Sequence, residues 1–166
     1  ASKQSNAATL LQFLSNSLFS MQTKLDSGEM AYTPEEDAAL RDKRIEFLHL
    51  FFENGDFGFY HTHLSDTHRE QAFYYAKKDS CEKALHHLSL AAEHAIKFVT
   101  SVNEDCTSLV FRGTYRGSWC TSSSENEASR LLKKLESKPF DKIRDKEEFS
   151  NIKKRLLEYA DNWRTE

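Results

Sequence analysis

The stretch SDTHREQAFYYAKKDSCEKALHHLSLAAEHAIKF, residues 65–98, decides how this chain reads. It lies within two segments of helical period, about 66–78 and about 80–102. In the second, Ala84, Leu88, Ala91 and Ala95 recur at intervals of four, three and four, with Leu85, Ala92, Ile96 and Val99 beside them. That spacing lays one apolar stripe along a helix. Asp79-Ser80-Cys81-Glu82 supplies a capping box between the two segments.

Working outward from this pair, the same signals recur. Leu11, Leu14, Leu18, Met21 and Leu25 predict a first helix over about 6–26, widened by Leu10, Phe13 and Phe19 and stopped at Ser27-Gly28. Thr33-Pro34-Glu35-Glu36 opens a second. Its end carries two apolar lines, Ile45, Leu48 and Phe52 on one side and Phe47, Leu50 and Phe51 on the other. Residues 56–64 read as an aromatic connector, and 103–123 reads as a loop with a short apolar run, Leu109-Val110-Phe111, that fits helix or strand equally. Ser124-Glu125-Asn126-Glu127 caps a fifth helix with Ala128, Leu131, Leu132 and Leu135 inward. Asp145-Lys146-Glu147-Glu148 caps the last, whose inner line is Phe149, Ile152, Leu156, Tyr159 or Ala160, and Trp163.

The whole is an all-α chain of 166 residues, long enough to fold as one domain without a disulfide or metal staple. Two prolines and five glycines are too few for the many turns of a strand-rich fold. The formal net charge is −3 and no basic block exceeds Lys153-Lys154-Arg155, which argues against direct nucleic-acid contact. Three widely spaced cysteines, Cys81, Cys106 and Cys120, form neither a disulfide framework nor a CxxC metal pattern, so reduced thiols and a cytoplasmic setting are expected. No apolar run approaches a membrane span and no signal peptide is visible. The absence of an initiator Met reads as a piece of a longer chain.

Counted from Ser65, Ala72 takes place eight, Tyr75 eleven, Ala84 twenty, Leu88 twenty-four and Ala91 twenty-seven. In these places the stretch resembles a 34-residue tetratricopeptide repeat. It departs from the pattern at His68, Gln71 and Ile96. Lys43, Ile45, Leu48, Leu50 and Glu53 echo Lys83, Leu85, Leu88, Leu90 and Glu93, suggesting a degenerate earlier hairpin over 6–54. PFDKIRDKEEF, 139–149, resembles the segment that closes many such arrays. The expected architecture is therefore one domain, 1–166. It is a short right-handed tetratricopeptide-like solenoid of stacked helical hairpins, with its best repeat at 65–98 and a capping unit at 124–163 that hides the terminal apolar face.

Taken with EKALHHLSLAAEHAIKF (82–98), CTSLVFRG (106–113) and SENEASRLLKKLESKPFDKIRDKEEF (124–149), residues 65–160 are similar to the C-terminal half of bacterial helix-turn-helix regulators of the xenobiotic-response-element family. The resemblance implies repeats that sense a ligand or dimerise, while a separate N-terminal domain binds DNA. This chain shows no DNA-binding helix-turn-helix, so any DNA contact would belong to residues outside this sequence.

In such repeats the groove is lined by places two, five, nine, twelve and thirteen, which here are Asp66, Arg69, Phe73, Ala76 and Lys77. Cations flanking an aromatic suit an acidic or C-terminal peptide, because Arg makes paired hydrogen bonds to carboxylate. The carboxylate-clamp version of the repeat has Asn at place nine, where this chain has Phe73. His61 and His63, in the connector before the groove, complete the expected partner-binding set. With His68 and Asp66 they also suggest metal, since imidazole suits zinc, copper or nickel, and with Phe73 they raise a small-molecule or metal sensor as an alternative. Neither they nor His86, His87, His94 and Glu93 show a recognised ligand spacing, so no metal or other cofactor is expected. Nucleophile elbows, phosphate loops and zinc-protease helices are missing. The sequence points to a partner-binding regulatory domain rather than an enzyme. Its partner would be a protein or peptide, or a second copy joined through the first helix. A free-standing adaptor is the other possibility.

Overall fold

Thr33 acts as its place before Pro34 predicts. In the computed structural model, which describes Thr9 and residues 32–100, 106–112 and 125–160, the Thr33 hydroxyl accepts from the Glu36 amide at 3.2 Å. The Glu36 carboxylate accepts from the Thr33 amide in return, at 2.8 Å. This box opens α1, Pro34–Phe51. Four more α-helices come after it: α2, Tyr60–Lys77; α3, Cys81–Thr100; α4, Glu127–Leu135; and α5, Glu147–Ala160. A 3-10 helix, Lys138–Lys142, joins the last two. No strand occurs among the described residues, as the all-α expectation requires. Apart from Thr9, the expected helix at 6–26 lies outside the described residues, as do 113–124 and Trp163. None of the described helices is long and apolar enough to cross a membrane.

The chain divides into two compact units, Ala1–Phe57 with Asn103–Gly117 and Gly58–Val102 with Ser118–Glu166. In the first, α1 buries Ala38, Arg41, Arg44 and Leu48. In the first expected line Leu48 and Phe52 are buried and Ile45 half-buried; in the second Phe47 and Phe51 are half-buried, Phe51 against Phe111, while Leu50 is 73% exposed. Phe52 stacks on Phe111, centroids 5.2 Å apart, and leans on Phe57 at 5.7 Å. Residues 106–112 are turns, neither helix nor strand. Gly55 closes the segment after α1 at φ +74°, a conformation that costs glycine little.

In the second unit, α2 begins at Tyr60, six residues before the expected start. His61 and His63 are therefore helical and not in a connector. The Thr62 hydroxyl donates to the Phe59 carbonyl at 2.9 Å, and His61, Thr62, Leu64 and Ser65 are all buried. Burial of these residues outweighs their weak helix propensity. The helix ends in a Schellman turn: Asp79 sits at φ +58°, its amide donates to the Ala76 carbonyl at 3.3 Å, and the Ser80 amide reaches the Tyr75 carbonyl at 2.9 Å. That reversal sends α3 back antiparallel along α2. Where they meet, Ala72, Ala76, Ala84, Leu88, Ala91, Ala92 and Ala95 are each at most 1% exposed. Side chains this small let the helix axes approach closely.

A second hairpin packs on the first. Ala128, Leu131 and Leu135 of α4 join Phe140, Ile143, Phe149, Ile152 and Leu156 in the same core cluster as the alanines of α3. One side chain closes this hairpin at both helix ends. The Asn126 carboxamide oxygen accepts from the Ser129 amide at 2.8 Å, capping α4. Its nitrogen donates to the Tyr159 and Ala160 carbonyls at 2.7 and 2.9 Å, satisfying the end of α5. The start of α4 thus meets the end of α5, and those two run antiparallel. Asp66 of α2 reaches Arg130 and Lys134 of α4, and Phe73 of α2 reaches Phe140 just beyond α4. Both series rise together, so α2 and α4 run parallel and the two hairpins stack in the same sense.

Replacing Asn126 by Ala removes three hydrogen bonds from a site that is 1% exposed. The expected cost is about 2 kcal/mol by chemical denaturation. Asn126→Asp keeps the acceptor for Ser129 but sets a carboxylate oxygen against two carbonyls, and should lose a comparable amount. Full stability of the Asp variant would show that Asn126 does not hold α5.

Candidate functional site

The expected groove stripe lies on α2, but much of it faces its own chain. The Asp66 carboxylate accepts from Lys134 at 2.9 Å and from Arg130 at 3.0 Å, with Arg69 at 3.4 Å. Arg69 is held more closely by Glu70, at 2.6 Å. Phe73 meets Phe140 edge to face with centroids 5.9 Å apart. Ala76 is sealed in the helix crossing at 1% exposure. Lys77 is exposed, its ammonium 4.3 Å from the centre of the Phe73 ring. The second hairpin thus occupies the inner half of the stripe, and Lys77 is the member left to solvent.

Burial raises the Asp66 carboxyl, but the hydrogen bond from Lys134 and the charges of Arg130, Lys134 and Arg69 outweigh it, so its pKa is held below the ordinary carboxylate value. Glu127 goes the other way. Burial pushes it up, and the neighbouring Asp66 charge adds to that against the pull of Arg130 and Lys134. The node therefore carries two carboxylates whose pKa values are shifted in opposite directions.

Four of the seven histidines line the seam between α2 and α3. His61 Nδ1 lies 2.8 Å from His94 Nδ1, and His68 Nδ1 lies 3.0 Å from His87 Nδ1. The pairings move inward by seven residues on each helix. His68 also stacks on His94, centroids 5.7 Å apart and planes within 7°, and Tyr75 stacks on His87 at 5.4 Å. In each Nδ1 contact one ring must donate and the other accept, which fixes opposite tautomers. His63 stands apart, against Phe59 and Tyr60. The grouping of His61, His63 and His68 suggested by proximity in sequence is thus replaced by cross-helix pairs. Among the described residues no three His, Cys, Asp or Glu side chains are placed to hold a metal ion.

A cleft of about 410 Å³ opens on the other side of α3, against α5. From α3 it takes Glu82, Leu85, His86 and Ser89; from α5 it takes Glu148, Asn151, Ile152 and Arg155. Each set is spaced three, four and seven residues from its first member, so each is one helical stripe. The periodicity of both helices is legible in the sequence, but their approach is not, because residues 101–146 lie between them.

In the first unit, Asp56 gathers a turn fifty residues away. Its carboxylate accepts from Cys106 Sγ at 3.0 Å, from the Ser108 amide at 3.0 Å and from the Thr107 hydroxyl at 3.2 Å, with the Thr107 amide and Ser108 hydroxyl also bound. Burial raises this carboxyl, but these donors together hold it far below the usual range. The Asp56 carboxylate is fully engaged in fastening CTSL to the end of α1, and that role is structural.

The chain matches no family model, no curated protein and no solved structure.

Asp66→Asn should lower stability at neutral pH by about 1 kcal/mol, a figure already reduced for solvent screening of a half-exposed carboxylate. A carboxyl held low in the folded state adds stability above its unfolded pKa and loses it as pH falls through the folded one. The gap between wild type and variant should therefore close on acidification. Urea denaturation across the acid range measures this; a gap that stays constant with pH contradicts it.

Proposed function

We propose that this chain is a regulatory, partner-binding helical-repeat domain, the sensing or dimerising C-terminal part of a bacterial cytoplasmic helix-turn-helix regulator of the xenobiotic-response-element family. One observation carries the reading: two helical hairpins stack in the same sense, the first of them closed by a crossing made of alanines. Residues that carry the tetratricopeptide resemblance help to build this stack. Ala72, Ala84, Leu88 and Ala91 are fully buried at the crossing, and Tyr75 packs against the cluster. Phe140, Ile143 and Phe149 of the closing segment 139–149 are at most 1% exposed. Stacked hairpins of this kind present long helix faces to partners, and each repeat depends on its neighbour to bury its apolar side.

Closure of the inner stripe by α4 narrows where a partner would sit. Asp66 and Phe73 are engaged within the unit, so a partner on that side would meet Lys77 and the rim of Arg69. A net charge of −3 gives this chain no general attraction to nucleic acid, and DNA recognition would reside in a separate domain.

The reading frame that leads into Ala1 tests this proposal. A DNA-binding helix-turn-helix segment encoded upstream in the same frame is the expected result. A stop codon there, or an enzyme domain, would contradict it.

A further inference from the structure

Charges on the surface of the second unit are mostly paired. Lys97 holds Glu93, Arg144 and Lys153 share Glu136, Lys142 holds Asp79, and Lys133 holds Glu125. Several charged side chains of the unit, Lys83, Lys138, Glu147 and Lys154 among them, form no ion pair among the described residues, and three of this kind line the cleft between α3 and α5. Among the described residues, Glu82, Glu148 and Arg155 form no ion pair, although all three line one cavity. Arg155 lies near enough to Glu93 to act on it electrostatically, but Lys97 is the cation bonded to Glu93.

The charges are also sorted along the cleft. Glu82 and Glu148 are each the second residue of their helix, and α3 and α5 run parallel, so both carboxylates lie at one end. Arg155 lies two turns further along, near the level of Ser89 and Glu93. Seven residues of helix place Glu148 and Arg155 about 10 Å apart along the axis. Between them Leu85 and Ile152 form an apolar floor, Ile152 being 4% exposed, and Asn151 and Ser89 offer hydrogen-bonding groups on the walls. A volume near 410 Å³ is within the range of small-ligand sites, about 300–1,000 Å³.

We infer that this cleft binds a short zwitterionic peptide of about three residues, its ammonium group at Glu82 and Glu148, its carboxylate at Arg155 and an apolar side chain on Leu85 and Ile152. An extended chain advances about 3.4 Å per residue, so three residues span the separation of the charges. A free amino acid is too short to reach both ends, and a blocked peptide offers only one charge. Ser89 and Asn151 suit the peptide groups between the ends, and Arg155 can take a terminal carboxylate with two parallel hydrogen bonds. The inference rests on the proposal that this is a sensing domain, and it names the chemistry sensed.

Titration of the full chain with alanyl-leucyl-alanine, monitored by calorimetry and by amide chemical shifts, tests it. Saturable binding with shifts on α3 and α5 is expected, and N-acetylation or C-amidation of the peptide should each weaken it about tenfold. Glu148→Gln should reduce the sensitivity to acetylation, with Glu82 keeping part of it, and Arg155→Gln should abolish the sensitivity to amidation. Both positions are exposed, so the variants should unfold at the wild-type temperature. No saturable binding, equal binding of the blocked peptides, equal binding of leucine alone, or shifts confined to other helices would each overturn the assignment. If the upstream frame encodes a DNA-binding segment and the tripeptide does not bind, the cleft assignment fails and the regulatory reading stands.

Discussion

The close crossing of α2 and α3 is the constraint on which the second unit depends. Alanines at 72, 76, 84, 91, 92 and 95 bring two backbones together, and closeness alone would not say which residue faces which. The imidazoles supply that. His61 with His94 and His68 with His87 are directional contacts between largely buried groups, and a slip along either helix would break both at once. A buried polar group left without its partner costs about 1–3 kcal/mol. Alanine therefore sets the distance and histidine the register. Histidines that suggest a metal or small-molecule sensor when read alone serve here to align a hairpin.

That alignment decides which faces of the hairpin stay open. One side of α2 receives α4 and the 3-10 helix, through Asp66 and Phe73, and the stripe expected to form an open groove is partly closed by its own chain. Asn126 joins the start of α4 to the end of α5, which sets the second hairpin parallel to the first. With α5 so placed, its outer stripe faces the outer stripe of α3 across a cleft whose charged side chains form no ion pair among the described residues. The open cleft thus lies between the outer helices and not along the inner ones, where the repeat pattern places a groove.

Most of the helices are legible because their signals are local. Thr33 with Glu36 and the line Phe149, Ile152 and Leu156 act within a few residues and are found as the sequence reads, while the cap of α4 falls on Asn126, two residues after the Ser124 that the box Ser124–Glu127 would use. The start of α2 is not legible, since Tyr60, His61, Thr62 and His63 favour helix only once they are packed. Leu50 misleads because its apolar character fits a second stripe, yet it is exposed. The histidine pairs, separated by 33 and 19 residues, and the fastening of Asp56 to Cys106, Thr107 and Ser108 leave no periodic trace, because side-chain pairing across a turn depends on the fold and not on spacing. The candidate site shows the same division: helical spacing places Asp66 and Phe73 on one face, but only the fold reveals that α4 occupies it.

Ring-proton contacts of the histidines, read by nuclear Overhauser spectroscopy on the protein at neutral pH, test this alignment directly. Cross-peaks linking His61 to His94, His68 to His87 and His68 to His94 are expected, with none linking His61 to His87. Cross-peaks that pair the rings one helical turn out of step, or none between α2 and α3, would contradict the account.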